Sequence, residues 1–410
     1  MPERQEKGGF AIRPLRPNLM APGVGSHIFE DHLLVFSEKT QILYNFNPSA
    51  AFMWCCCEQG MSEEEIAQAV VAAFGVGIEE ARHDVRNATQ EWMSLGLVES
   101  APDDPPTIAL SEMGSETSDN LLPSEPLTPH PLSSTYAFEL AGQGFVLRFS
   151  DENLKWSVIE PLLHLSADDV SSPVTIDVFE SEERYVITRE KVIVAGCAFV
   201  DELAPLVAQE ALHAACQGGD FLVCIHAAVH SLGKACIVLP GVGGTGKTTL
   251  SAALIKDGFR YFTDEVALLD RRTLRVVPAP VSLRVKQGSW KMVSGMFPDF
   301  LTLPTHSLTD GSRLRLLPPP AGSFQQDPEE GNVVKCLVFL SRSSEEKTFI
   351  RPLSRIEVFQ RIQECGYSVV GILDQRTVAQ ILQWIKTVDC YEMTMNSLPE
   401  AVEIVRGLLE

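Results

Sequence analysis

The sequence predicts an α/β P-loop core that follows a small α+β domain of winged-helix-like arrangement. Three observations predict this fold class. A complete phosphate-binding loop lies between an apolar run and a helical pattern. The first hundred residues contain paired strand signals and then three amphipathic helical patterns. A stretch rich in proline, serine and acidic residues separates the two parts.

The predicted boundaries are 1–99 for the small domain, 100–135 for a disordered linker and 136–410 for the P-loop domain. A chain of 410 residues is long enough for two or three domains. The linker has little hydrophobic periodicity and few residues that could form a core, which is typical of disorder.

The composition favours a soluble globular protein, with 45% apolar and 21% charged residues. The net charge of −21 argues against nucleic acid and anionic membrane as partners, because such a field repels phosphate. No apolar run is long enough to span a bilayer, and the charged N-terminus shows no signal peptide. The sequence therefore predicts a cytoplasmic location.

The 10 cysteines are scattered apart from the triplet Cys55, Cys56 and Cys57. Three adjacent residues on a helix point in three directions and cannot converge on one metal ion without outside ligands. We interpret the triplet as small apolar residues on a partly buried helix.

The small domain begins with a predicted hairpin, because the apolar runs "HLLVFS" and "QILYNF" are joined by "EKT". Asn47 or Ser49 can start the first helix, and Gly60 can end it. Ser62 and Glu65 form the capping-box pattern that starts the second helix.

Two apolar faces define the remaining helices of this domain. Ile66, Val70 and Phe74 recur every four residues in the second helix, and Gly75 stops it. The third helix alternates spacings of four and three through Ala81, Val85, Ala88, Trp92 and Leu95. It carries only two arginines against four acids, so it lacks the basic surface that DNA binding needs.

With these features, residues 17–99 resemble the pyrroloquinoline-quinone biosynthesis protein D family, the peptide chaperones also called RiPP recognition elements. The resemblance lies in "LYNFNPSAAFMW", "EEEIAQAVVAAFG" and "DVRNATQEWMSLGLV". It implies that an extended leader peptide of a precursor binds between the last strand and the last helix by β-augmentation. The implied groove candidates, each of which also suits an ordinary core, are Leu43, Tyr44, Phe46, Val85 and Trp92.

The larger domain opens with the strand-like runs "YAFEL", "GFVLRFS", "VTIDVF" and "YVITREKVIVAG", followed by the helix "DELAPLVAQEALHAAC". The buried strand "ACIVLP" then precedes a full GxxxxGK[ST] match. Lys247 would bridge the β- and γ-phosphates of ATP, and the Thr248 hydroxyl would bind Mg²⁺. The predicted nucleotide-binding set is Gly241, Gly243, Gly244, Thr245, Gly246, Lys247, Thr248 and Thr249.

Three acidic positions could support chemistry at this loop. Asp374 ends "VVGILD", which looks like a Walker B strand, and Asp270 ends "VALLD", where "RRT" suggests a hairpin turn. Asp264 and Glu265 are the third candidate. Asp264 follows Lys247 by only 17 residues (264 − 247), which is enough for one helix and one returning strand. Adjacent strand residues point to opposite faces, so both acids would reach the nucleotide only if a bulge re-aims one.

The stretch from "IHAAVHSLGKACIVLPG" to "GFRYFTDEVALL" resembles the HPr kinase/phosphorylase superfamily, and more closely its relatives found with peptide-modification systems. The resemblance covers residues 226–286 well and 136–410 loosely. It implies a P-loop core related to phosphoenolpyruvate carboxykinase. It also implies that Asp264 is the base on the acceptor hydroxyl, that Glu265 supports the metal or the site, and that His226 is the family's catalytic-site histidine.

Two departures from that family argue against the reverse dephosphorylation reaction and against HPr as the substrate. Thr249 stands where bacterial HPr kinases usually carry glutamate, and the "RGLG" signature linked to phosphorolysis is missing. In that region Arg284 and Lys286 could contact phosphate or substrate. HPr kinases assemble as hexamers, so the resemblance is compatible with a homo-oligomer.

The sequence thus predicts a P-loop serine kinase that uses ATP and Mg²⁺ on a hydroxyl of a precursor peptide, held by its leader peptide in the N-terminal domain. Two alternatives stay open at this point. One is a phosphotransferase acting on a carrier protein or small molecule. The other is a non-catalytic, ATP-binding peptide chaperone.

Overall fold

The computed structural model describes residues 20–99, 131–182, 184–325, 332–341 and 347–410. The first 19 residues of the predicted small domain and residues 100–130 of the predicted linker lie outside this range. The chain divides into two compact units. The first contains the described residues up to 99 together with Ile372–Leu382, and the second contains the rest of the described chain.

The first unit is a three-stranded antiparallel sheet followed by three helices. The strand order is β1-β2-β3, so β3 lies at one edge of the sheet. The predicted hairpin and all three predicted helices are confirmed, and β1 is an additional strand. The elements are β1 Val24–Phe29, β2 His32–Ser37, β3 Ile42–Phe46, α1 Pro48–Glu58, α2 Glu63–Phe74 and α3 Ile78–Ser94.

Local signals set the helix ends in this unit. The Asn47 side chain accepts a hydrogen bond from the Ala50 N–H and caps α1, which selects Asn47 from the two predicted starts. The capping box of Ser62 and Glu65 is present at α2. Gly75 ends α2 in the left-handed conformation, with φ at +72°.

The apolar face predicted for α2 is correct over its first two turns only. Ile66 and Val70 are buried in a core that includes Trp54 and Trp92. Phe74 is instead 45% exposed and packs edge-to-face on Phe52, because it lies on the last turn of the helix beyond that core.

Both faces of the small sheet are buried. Leu33 and Val35 belong to the core under the helices, whereas Leu34 and Phe36 point to the opposite face and are also buried. The segment Ile372–Leu382 belongs to this same unit, and its Leu373 N–H donates to Gln41 Oε1 at 2.7 Å. The first unit is therefore not continuous along the chain, which the predicted boundaries did not include.

The second unit contains a five-stranded sheet, a ten-stranded mixed sheet and a small three-stranded sheet. Its strands are β4 Ser134–Leu140, β5 Gln143–Phe149, β6 Val174–Ser181, β7 Arg184–Arg189, β8 Val192–Cys197, β9 Phe221–Ile225, β10 Ala227–Leu232, β11 Ala235–Pro240, β12 Arg260–Thr263, β13 Ala267–Asp270, β14 Arg275–Val277, β15 Leu283–Lys286, β16 His306–Ser307, β17 Arg313–Leu317, β18 Asn332–Ser341, β19 Phe349–Pro352, β20 Tyr367–Ser368 and β21 Asp389–Thr394. Its helices are α4 Glu152–Ile159, α5 Leu203–Gly218, α6 Lys247–Lys256, α7 Trp290–Met296, α8 Arg355–Cys365 and α10 Leu398–Leu409, with α9 Gln375–Thr387 shared between the units.

The five-stranded sheet runs in sequence order from β4 to β8. The order in the ten-stranded sheet is β12-β10-β11-β18-β14-β13-β9-β20, with β21 on β18 and β19 on β21. Strand β11 lies between β10 and β18, and five of its six residues are buried. The chain leaves β11 through the glycine-rich loop into α6, turns at Gly258 with φ at +90°, and returns along β12. This path brings the end of β12 back towards the start of α6, as the short spacing predicts.

The other two acidic candidates have structural roles. Asp270 Oδ1 accepts hydrogen bonds from the Thr273 N–H and hydroxyl, both at 2.7 Å, which closes the hairpin turn after β13. Asp374 Oδ1 accepts from the Thr377 N–H at 2.7 Å and caps α9. Residues 369–374 form no strand, so the Walker B interpretation of "VVGILD" is wrong.

None of the described helices is long and apolar enough to cross a membrane.

Of the cysteine triplet, Cys56 is buried, and burial raises the pKa of Cys57 to about 12.

A buried histidine gives the fold a predicted acid sensitivity. His230 on β10 has no exposed surface, and neither ring nitrogen has a hydrogen-bond partner in the described chain. Burial lowers the pKa of His230 to about 3, whereas an unfolded histidine titrates near 6.5. The unfolded state then binds the extra proton, so stability is lost as pH falls from about 6.5 towards 3.

We expect this group to reduce the free energy of unfolding by about 2 kcal/mol between pH 7 and pH 5. Urea unfolding of the wild type and of His230→Leu at both pH values measures the effect. Between pH 7 and pH 5 the free energy of unfolding of the variant should fall by about 2 kcal/mol less than that of the wild type. His213→Leu, at an exposed position of α5, is the control. Equal losses in the wild type and His230→Leu would contradict the prediction.

Candidate functional site

The glycine-rich loop presents backbone N–H groups at the N-terminus of α6. Gly244 and Gly246 adopt φ values of +88° and +105°, which side chains with a Cβ rarely adopt. Helix α6 begins at Lys247, directly after Gly246. A helix N-terminus carries unpaired N–H groups and partial positive charge, so the loop is suited to an anion such as a phosphate.

A cavity of about 460 Å³ opens beside this loop. It brings most of the predicted site residues together: His226, Gly243, Gly244, Thr245, Gly246, Lys247, Thr248, Thr249, Asp264, Glu265, Arg284 and Lys286 all line it. Gly241 lies outside the lining but contributes its carbonyl to Lys247. The lining also has an apolar part, which includes Pro161, Leu162, Ala208, Leu212 and Leu316.

Lys247 is buried against the loop that it follows. Its Nζ donates to the carbonyl of Gly241, to the carbonyl of Val242 at 3.2 Å and to His226 Nε2 at 3.3 Å. Burial lowers the pKa of Lys247, and the nearby carboxylates of Asp264 and Glu265 oppose this shift.

His226 connects the lysine to the acidic pair. Its Nδ1 lies 2.8 Å from the Glu265 carbonyl oxygen, which can only accept, so Nδ1 carries the proton and Nε2 is free to accept from Lys247. Burial, followed by the Lys247 charge, lowers the pKa of His226. A neutral histidine of this tautomer orients the lysine ammonium group.

Asp264 lies directly after β12 and is 2% exposed. The Ser251 hydroxyl donates to Asp264 Oδ1 at 3.0 Å, while Oδ2 has no partner in hydrogen-bonding geometry among the described residues. Burial first, and then the Glu265 charge, raise the pKa of Asp264 to about 7, and the neighbouring hydroxyls of Thr248 and Ser251 act in the opposite direction. A buried, incompletely paired carboxyl group facing a glycine-rich loop is typical of a functional site.

The two acids share one cavity because the chain bends between them and the next strand. The Thr263 hydroxyl oxygen accepts from the N–H groups of Glu265 and Val266, both at 3.3 Å, and residues 264–266 lie outside the strands. The opposite orientation expected within a strand therefore does not apply.

Glu265 is the more exposed acid, with 28% of its side chain accessible, and its Oε1 lies 3.7 Å from Arg284 Nε. Arg284 Nη1 also lies 3.5 Å from the Pro205 carbonyl. Arg284 and Lys286 are two residues apart on β15, so their side chains extend to the same face and both reach the cavity.

The hydroxyl groups of Ser251 and Ser289 at the site were not predicted. Ser251 lies three residues after Thr248 on α6, so both hydroxyls are on one helix face near Asp264. Helical spacing from the loop could have identified it. The Thr249 hydroxyl donates to Ser289 Oγ at 3.0 Å, and no local sequence signal indicates that pairing across the chain.

No group of three or more His, Cys, Asp and Glu side chains in the described chain could hold a metal ion by itself. The predicted metal ligands Thr248 and Glu265 both line the cavity, and the Mg²⁺ that they would hold stays a prediction.

In the first unit, four of the five predicted groove residues are part of the interior. Leu43, Phe46, Val85 and Trp92 are each less than 10% exposed, and the ring of Phe46 stacks on Trp92 at 5.4 Å. Tyr44 is half-buried and lies on the edge strand β3. Their side chains therefore stabilise the strand and the helix, and among the five only Tyr44 is accessible to a peptide.

Comparison with known proteins identifies the first unit. Residues 32–98 match the family of coenzyme PQQ synthesis protein D (PqqD). The chain therefore contains a PqqD-like RiPP recognition element domain in its N-terminal part, as the sequence predicts. A solved structure of TbiB1 in complex with the TbiA(beta) leader peptide is similar to this chain at 21% identity and a TM-score of 0.20, covering 21% of this chain and 99% of that one. No curated protein matches the chain.

The position of Lys247 predicts a specific effect of its removal. We expect Lys247→Met to weaken binding of a fluorescent ATP analogue by about 3 kcal/mol, roughly a hundredfold, because a charged partner of phosphate is lost. The melting temperature should not fall, since the variant no longer buries a cation.

Titration by fluorescence anisotropy measures the affinity, and Lys256→Met is the matched control, because Lys256 is exposed at the far end of the same helix. An unchanged affinity in Lys247→Met would show that the loop does not bind phosphate in the expected way.

Proposed function

We propose that this protein is an ATP-dependent kinase that phosphorylates a serine or threonine hydroxyl of a ribosomally made precursor peptide, and that its N-terminal domain binds the leader of that peptide. The observation that carries the proposal is the shared cavity. It joins a complete phosphate loop to two adjacent carboxylates, one of them buried with an oxygen that makes no hydrogen bond.

The residues present fit ATP with Mg²⁺. The loop N–H groups and Lys247 suit the phosphates, and the Thr248 hydroxyl lies beside the Asp264 carboxyl group, where a hydroxyl and a carboxylate can support one ion. Bound Mg²⁺ would neutralise charge on the phosphates.

The chemistry that this cavity supports is an in-line transfer. The acceptor oxygen forms a bond to the γ-phosphorus, and the bond from that phosphorus to the β,γ-bridging oxygen breaks, so that ADP leaves with the electron pair. The proton of the acceptor hydroxyl passes to a carboxylate of the acidic pair. Arg284 and Lys286, which also line the cavity, can offset the charge of the transferred group.

The recognition domain supports a peptide as the acceptor. The resemblance of residues 32–98 to PqqD implies that an extended leader adds to an edge strand, and β3 is an edge strand of the small sheet. A leader held in the same chain as the cavity raises the effective concentration of the core peptide there. A non-catalytic chaperone has no need of the acidic pair, which favours the kinase.

The direct test is incubation of the full chain with Mg²⁺, ATP and candidate precursor peptides encoded beside its gene. We expect one peptide to gain the mass of a phosphoryl group on a serine or threonine, as measured by tandem mass spectrometry. Lys247→Met should abolish the gain, because ATP is no longer held for transfer.

Other outcomes separate the alternatives. Phosphorylation of a carrier protein or a small molecule, with no peptide modified, would support the broader phosphotransferase. Normal ATP binding with no phosphorylated product from any acceptor would contradict the kinase and favour the chaperone.

Leader binding has a separate test. We expect Tyr44→Ala, on the edge strand β3, to weaken binding of a fluorescently labelled leader by about tenfold, because the aromatic contact beside the added strand is lost. Fluorescence anisotropy measures the affinity. Ile28→Ala is the matched control, because Ile28 is 78% exposed on β1 at the opposite edge of the sheet. Equal effects of the two substitutions would contradict binding at β3.

A further inference from the structure

We propose that the two adjacent acids have different roles in the reaction. Asp264, oriented by Ser251, supports the metal ion, and Glu265, beside Arg284, accepts the proton of the acceptor hydroxyl. This inference rests on the proposed kinase function and deepens it. It reverses the roles that the family resemblance implies for the two acids, and it adds Ser251 as a positioning residue.

The surroundings of Asp264 place it with the phosphate loop. Its carboxyl group lies beside the hydroxyls of Thr248 and Ser251, both on the first two turns of α6, and near the Lys247 ammonium. Thr248 is the residue of this motif that binds Mg²⁺. An ion on Thr248 is therefore within reach of Asp264, whose Oδ2 is the oxygen without a hydrogen bond.

Ser251 determines which oxygen of Asp264 would be left to support a metal ion. Its hydroxyl is fully buried and donates to Oδ1 at 3.0 Å. With Oδ1 occupied, Oδ2 is the oxygen left for the metal or its bound water. Groups that orient a metal-supporting carboxylate in this way affect metal affinity although they do not contact the ion.

Asp264 is poorly placed for the acceptor. At 2% exposure, Asp264 is far less accessible than Glu265 to a hydroxyl that enters the cavity from solvent. A base has to reach within hydrogen-bonding distance of the proton that it removes.

Glu265 meets that requirement. Its side chain extends into the open part of the cavity, is 28% exposed, and lies 3.7 Å from Arg284. In the transfer step the acceptor oxygen bonds to the γ-phosphorus, its proton moves to the Glu265 carboxylate, and ADP leaves with the electrons of the broken bond. Arg284 stands beside the same carboxylate, where it can contact the transferred group.

Titration of Mg²⁺ at a fixed concentration of fluorescent ATP analogue tests the metal side. We expect Ser251→Ala to raise the Mg²⁺ concentration at half-saturation by about tenfold, and Asp264→Asn to raise it at least as much. Analogue binding without Mg²⁺ should be unchanged in Ser251→Ala, which a merely misfolded loop would not preserve. Glu265→Gln should keep the wild-type Mg²⁺ midpoint but slow phosphoryl transfer, or ATP hydrolysis, by about a hundredfold.

Ser231→Ala is the matched control, because Ser231 is also a buried serine but its hydroxyl has no hydrogen-bond partner in the described chain. It should leave the Mg²⁺ midpoint unchanged. A shifted midpoint in Glu265→Gln, with a normal midpoint in Asp264→Asn, would overturn the assignment while leaving the kinase intact. Failure of the wild type to bind the analogue at all would overturn the proposed function and this assignment with it.

Discussion

The packing of α6 on two sides is the constraint on which the site depends. One side of the helix joins a core through Leu250 and Leu254, and the other joins a second core through Ala252 and Ile255. Because the helix cannot shift without opening one of these cores, its N-terminus and the loop before it have fixed positions. The loop needs this support, since its glycines have wide conformational freedom of their own.

The same packing fixes the acidic pair. Strand β12 pairs with β10 in the sheet beside α6, and the bend held by Thr263 then directs Asp264 towards the helix and Glu265 towards the cavity. Burial of a carboxyl group is unfavourable unless it is paired. The serine and threonine hydroxyls of α6 offset part of this cost, which explains why a carboxyl group with one unbonded oxygen is tolerated inside the protein.

Local signals in the sequence predicted much of this arrangement, and long-range contacts limited the rest. The capping box at Ser62, the phosphate loop and the turn at Asp270 depend on neighbouring residues, so their patterns are visible in the sequence. Asp374 looked equivalent to a metal-supporting acid because a short apolar run precedes it, and only the sheet pairing shows that this run is not a strand. The bond of Ser251 to Asp264 joins helix to bend across 13 residues: the spacing from Thr248 indicates which helix face Ser251 occupies, but not which side chain it meets.

The contribution of Ile372–Leu382 to the first unit has a consequence for how the protein is made. Residues 32–98 leave the ribosome long before this segment does, since 371 − 98 = 273 residues are translated between them. During that interval the Gln41 side chain lacks the Leu373 N–H that it finally accepts from. The first unit is therefore complete only after residue 382 has been synthesised, so its folding cannot finish as soon as the recognition domain leaves the ribosome.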